Sequence, residues 1–230
     1  VLNLAMVIRN TYPGKFIVFE GIDGSGKSTQ LKLLSQHLKN HGYKIATFDF
    51  PQYGKKSAGL VEEYLSGKYG SLKEVGPYEA SIFYAVDRYD ASFKIKDWLK
   101  KGFVVLSDRY IGSNIGHQGG KIQNKKERAA YFKWLYNLEY NIFKIPKPTL
   151  SVILNMPPKI AYELCKNPER RKTKKTDIHE ESLTHLENAK NAYLHAARLF
   201  PKDFFIVDCV IRGKLESPKA IHQRVLNLLT

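Results

Sequence analysis

Nine residues from Gly21 to Thr29, Gly-Ile-Asp-Gly-Ser-Gly-Lys-Ser-Thr, constrain the fold more than any other stretch of the chain. Gly21, Gly26, Lys27 and Ser28 satisfy the spacing G-x-x-x-x-G-K-[ST], and the apolar run 16–19 just ahead of them reads as a buried strand. A glycine-rich turn in that position lets successive backbone N–H groups point inward, and a helix starting near Lys27 adds its positive dipole end. A phosphate chain fits such a nest. Gly21, Ile22, Asp23, Gly24, Ser25, Gly26, Lys27, Ser28 and Thr29 are therefore the expected binding residues for a nucleoside triphosphate. Lys27 is long enough to reach the outer phosphates, and the Ser28 hydroxyl is suited to hold Mg²⁺. An ordinary glycine turn is the plain alternative, but it does not call for a strand before and a helix after.

Strands and helices alternate along the rest of the chain. Leu31, Leu34 and Leu38 recur at helical spacing and stop near Asn40-His41-Gly42; residues 44–50 read as a second strand ended by Pro51. A short helix is expected over 57–65. Pro77 opens a long one to about residue 101, with Ile82, Val86, Tyr89 and Phe93 on one face. Residues 103–107 form the third strand, and Asp108, Arg109 and Tyr110 stand at its carboxyl end. Residues 111–120 read as a loop or short helix, 125–144 as a helix and 149–155 as the fourth strand. Pro157 and Pro158 open a helix that gives way to the charged segment 166–175; an amphipathic helix covers 180–200, residues 204–207 close the sheet, and Ser217 begins the last helix. This alternation predicts an α/β fold, a parallel sheet with helices on both faces and right-handed crossovers. Ligands of such sheets lie beyond the carboxyl ends of the strands.

With 230 residues, 43% of them hydrophobic, one domain with a sizeable core is expected over 1–230. Cys165 and Cys209 lie far apart and suggest neither a disulfide framework nor a metal cluster, which points to a reducing, cytoplasmic setting. Residues 1–8 make a poor signal peptide, Met6 is the expected natural start, and no later run approaches a membrane span. The net charge of +15 comes from lysines spread along the whole chain. That distribution favours anionic small molecules over nucleic acid as partners, and no nucleic-acid module accompanies it.

Four further blocks occur in order: Phe50-Pro51-x-Tyr53-Gly54, Tyr84-x-x-x-Arg88, Asp108-Arg109-Tyr110 followed by Ser113-Asn114, and Asp177-Ile178-His179-Glu180. Together with the phosphate loop they resemble the thymidylate kinase family over most of the chain from residue 16 to 200. The resemblance implies a P-loop kinase fold with a five-stranded parallel sheet and a mobile basic lid at about 166–177. It implies transfer of the ATP γ-phosphoryl group to dTMP, with Mg²⁺, and commonly a homodimer, for which the helix opened by Pro77 is the candidate contact. It places Arg109 on the acceptor phosphate, where a guanidinium makes a bidentate grip, and Asp108 near the metal. Asp23 would meet the sugar 3′-hydroxyl and help the metal.

Tyr84 and Arg88 are four apart and share a helix face, so the ring could stack on thymine while the guanidinium bonds a base carbonyl or the phosphate. A core tyrosine beside a surface arginine is the rival account. Phe50, Pro51 and Tyr53 would form the opposite wall, with Asn114 on the pyrimidine edge. Within 166–175, six of ten residues are basic; the segment is either a solvated run or a lid whose arginine closes over the transferring phosphate. Some family members carry an arginine at the position of Gly24, and a glycine there leaves Arg170 or Arg171 to supply it. Two departures stand out: Gln52 replaces an arginine near the acceptor phosphate, and His117 replaces a Tyr or Phe thought to disfavour a ribose 2′-hydroxyl. A kinase for another pyrimidine nucleotide or nucleoside, and an ATP-binding switch without transfer, are the alternatives.

Overall fold

The apolar run ahead of the glycines is β1 (Lys15–Glu20), the central strand of a five-stranded sheet in the computed structural model of the chain. Residues 12–71, 74–166 and 183–229 are described. The other strands are β2 (Ile45–Asp49), β3 (Val104–Asp108), β4 (Leu150–Asn155) and β5 (Phe204–Asp208). Their order is β2-β3-β1-β4-β5 and every pairing is parallel, as the alternation of elements predicts. Burial follows position in the sheet. β1, β3 and β4 are almost continuously buried because both faces are covered, whereas the edge strands β2 and β5 alternate between buried and open positions.

Helices cover the sheet: α1 (Lys27–Asn40), α2 (Gly59–Leu65), α3 (Pro77–Lys100), α4 (Ile111–His117), α5 (Lys125–Tyr136), α6 (Pro158–Lys166), α7 (Leu183–Leu199) and α8 (Pro218–Asn227). Their starts are written locally. Asn124 caps α5 by accepting from the N–H groups of Lys126 and Glu127, and Ser217 caps α8 through Ala220; each cap stabilises by about 1 kcal/mol. Among the described residues no helix is long and apolar enough to cross a membrane.

Register sets where the strands end. Phe19 and Asp49 both sit level with Asp108, and the backbone N–H of Arg109 reaches the Phe19 carbonyl at 2.9 Å. The loops after β1, β2 and β3 therefore leave one edge of the sheet side by side.

One open alternative is decided, in favour of a short helix, and three local features depart from the sequence-based expectation. Residues 111–120, rich in glycine, are mostly α4, because Gly112 and Gly116 put bare backbone against the Glu20 carboxylate and the Tyr193 ring; an added Cβ would come within 2.7 and 2.2 Å of them. The helix expected over 125–144 ends as α5 and passes into one π-helical turn, Asn137–Ile142. A hairpin, β6 (Val210–Ile211) and β7 (Lys214–Leu215), follows β5; its turn residues Arg212 and Gly213 have φ of 50° and 77°, as a two-residue turn with both centres left-handed requires. Finally, the α3 face bearing Ile82, Val86, Tyr89 and Phe93 points to solvent, with Phe93 61% exposed, while small residues such as Ala85, Ala91 and Ser92 pack inward.

Candidate active site

The loop between β1 and α1 takes its shape from its glycines. Gly21, Gly24 and Gly26 have φ of 135°, 78° and 92°, conformations that residues with a Cβ rarely adopt. The Lys27 ammonium lies 3.0 Å from the carbonyl oxygens of both Gly21 and Ile22, and 3.7 Å from Asp23. Thr29 continues α1, and Ser25 closes a turn on the Ile22 carbonyl. The Ser28 hydroxyl donates to Asp108 Oδ2 at 2.5 Å, which joins the first helical turn to the end of β3. A hydroxyl and a carboxylate side by side are hard oxygen donors of the kind Mg²⁺ takes, one or two protein ligands completed by phosphates and water. Among the described residues there is no cluster of three acidic, histidine or cysteine side chains that could hold a metal ion alone.

Beside the loop lies a cleft of about 500 Å³, part of it open to solvent. Asp23 and Arg109 stand at its loop end, Phe50, Pro51 and Tyr53 form the wall that follows β2, and Tyr84 and Arg88 face it from α3. Asn114 and His117 close it from α4. All nine residues expected around an acceptor thus line one cavity. Leu65, Tyr110, Ser113 and Gln118 also line it; Leu65 and Gln118 carry no motif signal.

Arg109 ties the phosphate loop to α4 across the cleft. Its φ of 70° is costly for a residue with a side chain, about 1–3 kcal/mol, and aims the guanidinium back over the loop. Nη2 pairs with Asp23 Oδ1, and Nη1 is 3.0 Å from His117 Nε2 and 3.5 Å from Ser113 Oγ. Burial works against its charge, yet the nearby Asp23, Asp108 and Glu20 hold its pKa well above the ordinary value. Burial and the neighbouring Arg109 push Lys27 below its ordinary value, opposed by Asp23, Asp108 and Glu20. Two cations on one sheet edge, each held by carboxylates, form a receptor for two anionic groups.

Glu20, at the end of β1, is fully buried and links the two halves. It accepts from the Tyr110 N–H and the Ser113 hydroxyl at 2.8 Å each, and from the Tyr193 hydroxyl at 3.3 Å. Burial raises its pKa, and Ser113, Arg109 and Lys27 pull it back. Arg88 is likewise buried; desolvation disfavours its charge, and Glu139 more than restores it, leaving the pKa raised. Asn114 donates one amide N–H to the Ser81 carbonyl at 3.2 Å.

Comparison with known proteins decides the family. The sequence profile described as Thymidylate kinase matches residues 19–216. A thymidylate kinase of Thermosipho africanus is 36% identical over 194 residues, 84% of this chain and 89% of that one. A probable thymidylate kinase of Thermococcus kodakarensis is 30% identical over 221 residues, 93% and 96% of the two chains. The chain belongs to the thymidylate kinase family. A solved thymidylate kinase structure from Candida albicans superposes with a TM-score of 0.68, covering 94% of this chain and 90% of that one; at 24% identity the likeness speaks for the fold.

Within the thymidylate kinase frame, the two departures acquire geometry. Gln52 does not line the cleft: its amide bonds the Asp87 carboxylate at 3.0 Å, its backbone N–H bonds the same group at 2.8 Å, and its carbonyl takes the Lys55 ammonium. No lysine or arginine of the loop after β2 lines the cavity; the cationic side chains that do are Arg88 and Arg109. His117 does line the cleft, stacked on His185 with its Nδ1 3.1 Å from His185 Nε2. Gly24 is closed to any side chain, since a Cβ there would lie 2.2 Å from the Ala161 carbonyl oxygen and 2.9 Å from Cys165 Sγ. Arg170, Arg171 and the block 177–180 lie outside the described residues, as does the start of the helix expected from 180.

Sequence reasoning missed the partners behind the site: Glu20, Asp87, Glu139, His185 and Tyr193. Glu20 had a signal, since a carboxylate ending a wholly buried strand must be satisfied by something close by. The others are brought in by elements far away in sequence.

Proposed function

We propose that the chain transfers the γ-phosphoryl group of ATP to the 5′-phosphate of dTMP, giving ADP and dTDP. One observation carries this reading: a phosphate loop and an arginine-bearing cleft share one sheet edge, joined where Arg109 pairs with Asp23. A nucleotide switch has no use for the second cavity. Transfer needs no nucleophilic side chain, because an oxygen of the acceptor phosphate attacks the γ-phosphorus while the ADP oxygen leaves with the bond electrons. The protein aligns the two phosphates and offsets their charge. The loop amides and Lys27 would bind the donor, and Arg109 would leave Asp23 in part to grip the acceptor phosphate. Asp23 is then placed to accept from the sugar 3′-hydroxyl, Tyr84 and Phe50 to enclose the base, and Tyr53 to cover it. Ser28 and Asp108 would hold Mg²⁺, which when bound offsets phosphate charge.

The reading includes three further parts. Because Gly24 has no room for a side chain, an arginine over the transferring group has to come from elsewhere, and Arg170 or Arg171 in a lid at about 166–177 fits. The exposed apolar face of α3, which carries Tyr89 and Phe93, suits a second copy of this chain in a homodimer. The free cysteines Cys165 and Cys209 suit a cytoplasmic setting.

A coupled assay of ADP release with each nucleoside monophosphate, and with none, tests the reaction. Rapid release with dTMP and little without acceptor is expected. Release that is equal with and without acceptor would overturn the transfer, and preference for another pyrimidine nucleotide would move the substrate. Sedimentation of the wild type against Phe93→Glu tests the dimer.

A further inference from the structure

The buried face of α5 carries Phe132 and Leu135, and helical spacing carries that face on to position 139. Within the π-helical turn the only buried residue is Glu139, fully buried, whereas Ile142 three residues later is 61% exposed. Burying a carboxylate and exposing an isoleucine reverses what apolar burial favours, so a specific partner must hold the carboxylate. That partner is Arg88. Its Nε donates to Glu139 Oε2 at 2.7 Å and its Nη2 to Oε1 at 2.6 Å, a two-pronged fork with both side chains 1% exposed or less. The wide turn is closed by the Phe143 N–H on the Leu138 carbonyl, five residues back, and such turns recur at functional positions in helices.

A guanidinium has five N–H groups. Two go to Glu139 and one, from Nη1, to the Tyr110 carbonyl at 3.4 Å. One N–H on Nη1 and one on Nη2 remain, on a residue that lines the acceptor cleft. The pair as a whole is neutral and fully out of water, whereas the Arg109 side chain keeps 21% of its surface exposed beside the phosphate loop. A neutral, rigidly oriented donor is poorly matched to a phosphate and well matched to a carbonyl oxygen.

Resting on the acceptor cleft as assigned above, we infer that Glu139 is a specificity-positioning residue: it fixes the plane of Arg88 and cancels its charge, so that the remaining N–H groups address a carbonyl of the acceptor base. It touches no substrate itself. Thymine and cytosine nucleotides differ where one carries a ring carbonyl and the other an amino group, and a fixed donor facing an amino group finds a second donor.

The test is steady-state kinetics of the full chain with dTMP and dCMP as acceptors, for wild type, Glu139→Gln and Glu139→Asp. Glutamine keeps the shape but presents an amide N–H to one prong of the fork; aspartate keeps the charge but withdraws it by one carbon. For Glu139→Gln the KM for dTMP should rise about tenfold and the preference for dTMP over dCMP should fall by about the same factor, with the KM for ATP held within about twofold. Glu139→Asp should show the same split to a lesser degree. Unchanged dTMP kinetics and preference in a folded Glu139→Gln chain would overturn the proposal. So would equal losses toward ATP and dTMP, or insolubility of both variants, which would assign the pair to folding alone. A wild type that phosphorylates no nucleoside monophosphate would instead sink the kinase reading.

Discussion

The phosphate loop and the cleft beside it share an edge of the sheet but are built by different means. The loop is one unbroken stretch whose function lies in backbone direction, set by left-handed glycines at 21, 24 and 26. The cleft gathers side chains from the ends of three strands and from α3 and α4, each held by a partner: Arg109 by Asp23 and His117, Arg88 by Glu139, Asn114 by the Ser81 carbonyl. In the loop a single added carbon is the threat, because Gly21 and Gly24 have no room for it and all three glycines hold a positive φ. In the cleft the threat is a partner left buried and unpaired. Errors in the first should damage both substrates, and errors in the second the acceptor alone.

Arg109→Ala is the severest way to break that contrast. If Arg109 grips the acceptor phosphate as proposed, its loss should lower kcat/KM for dTMP by about 10²–10³-fold, while ATP affinity measured separately stays nearly intact. A parallel loss of ATP affinity would show that the two halves are not separable. Gly24→Ala tests the other side. Its Cβ would meet the Ala161 carbonyl at 2.2 Å with φ at 78°, so either the loop or α6 must move. A shift of about 1 Å at that point is worth roughly 10²-fold in rate, and here it should appear in kcat/KM for both nucleotides. A loss confined to dTMP would contradict the division.

Glu20 belongs to both regions and sharpens the comparison from the middle. Glu20→Gln keeps the shape but replaces one acceptor oxygen by a donor facing Tyr110 N–H or Ser113 Oγ. The cost should be about 1–3 kcal/mol of stability, read by denaturant titration, with kcat/KM for both substrates reduced about tenfold. Wild-type kinetics in that variant would mean that the end of β1 serves only the fold.

The same division explains what the sequence made legible. The loop is contiguous, so the order strand, glycines, lysine, helix could be read directly, and the five parallel strands followed from apolar runs between helical periods. The cleft residues were legible only as motifs: Tyr84 and Arg88 share a face by spacing, but nothing local says whether that face meets a cavity or the core. Their partners were not legible, because the Arg88–Glu139 contact spans 51 residues and the contact of Tyr193 with Glu20 spans 173. The hairpin at Arg212-Gly213 had only a residue–glycine pair after the apolar Val210-Ile211 as a signal, since Lys214-Leu215 on its far side is half charged. The exposed face of α3 could not be distinguished from a core face, since periodicity reports a face and not what covers it.

The smallest effect tests how Arg109 is oriented. A guanidinium can only donate, so His117 Nε2, 3.0 Å from Nη1, must accept; its proton then sits on Nδ1 and points at His185 Nε2, 3.1 Å away. The chain Arg109 to His117 to His185 requires both imidazoles neutral. Burial lowers the His185 pKa, with Asp23 opposing and Lys121 and Arg109 assisting. The unfolded chain therefore takes up that proton first, near pH 6.5, and the contribution of His185 to stability falls as pH drops from there through its lower folded value. The relay keeps its neutral form at and above neutral pH, and acidification should raise the KM for dTMP by about threefold as a donor is turned against a donor. The acceptor phosphate also titrates, near pH 6, so wild type must be compared with His185→Gln, which can accept from His117 without titrating. The variant should keep only the part of the profile that belongs to the phosphate; superimposable profiles would leave His185 without a part in holding Arg109.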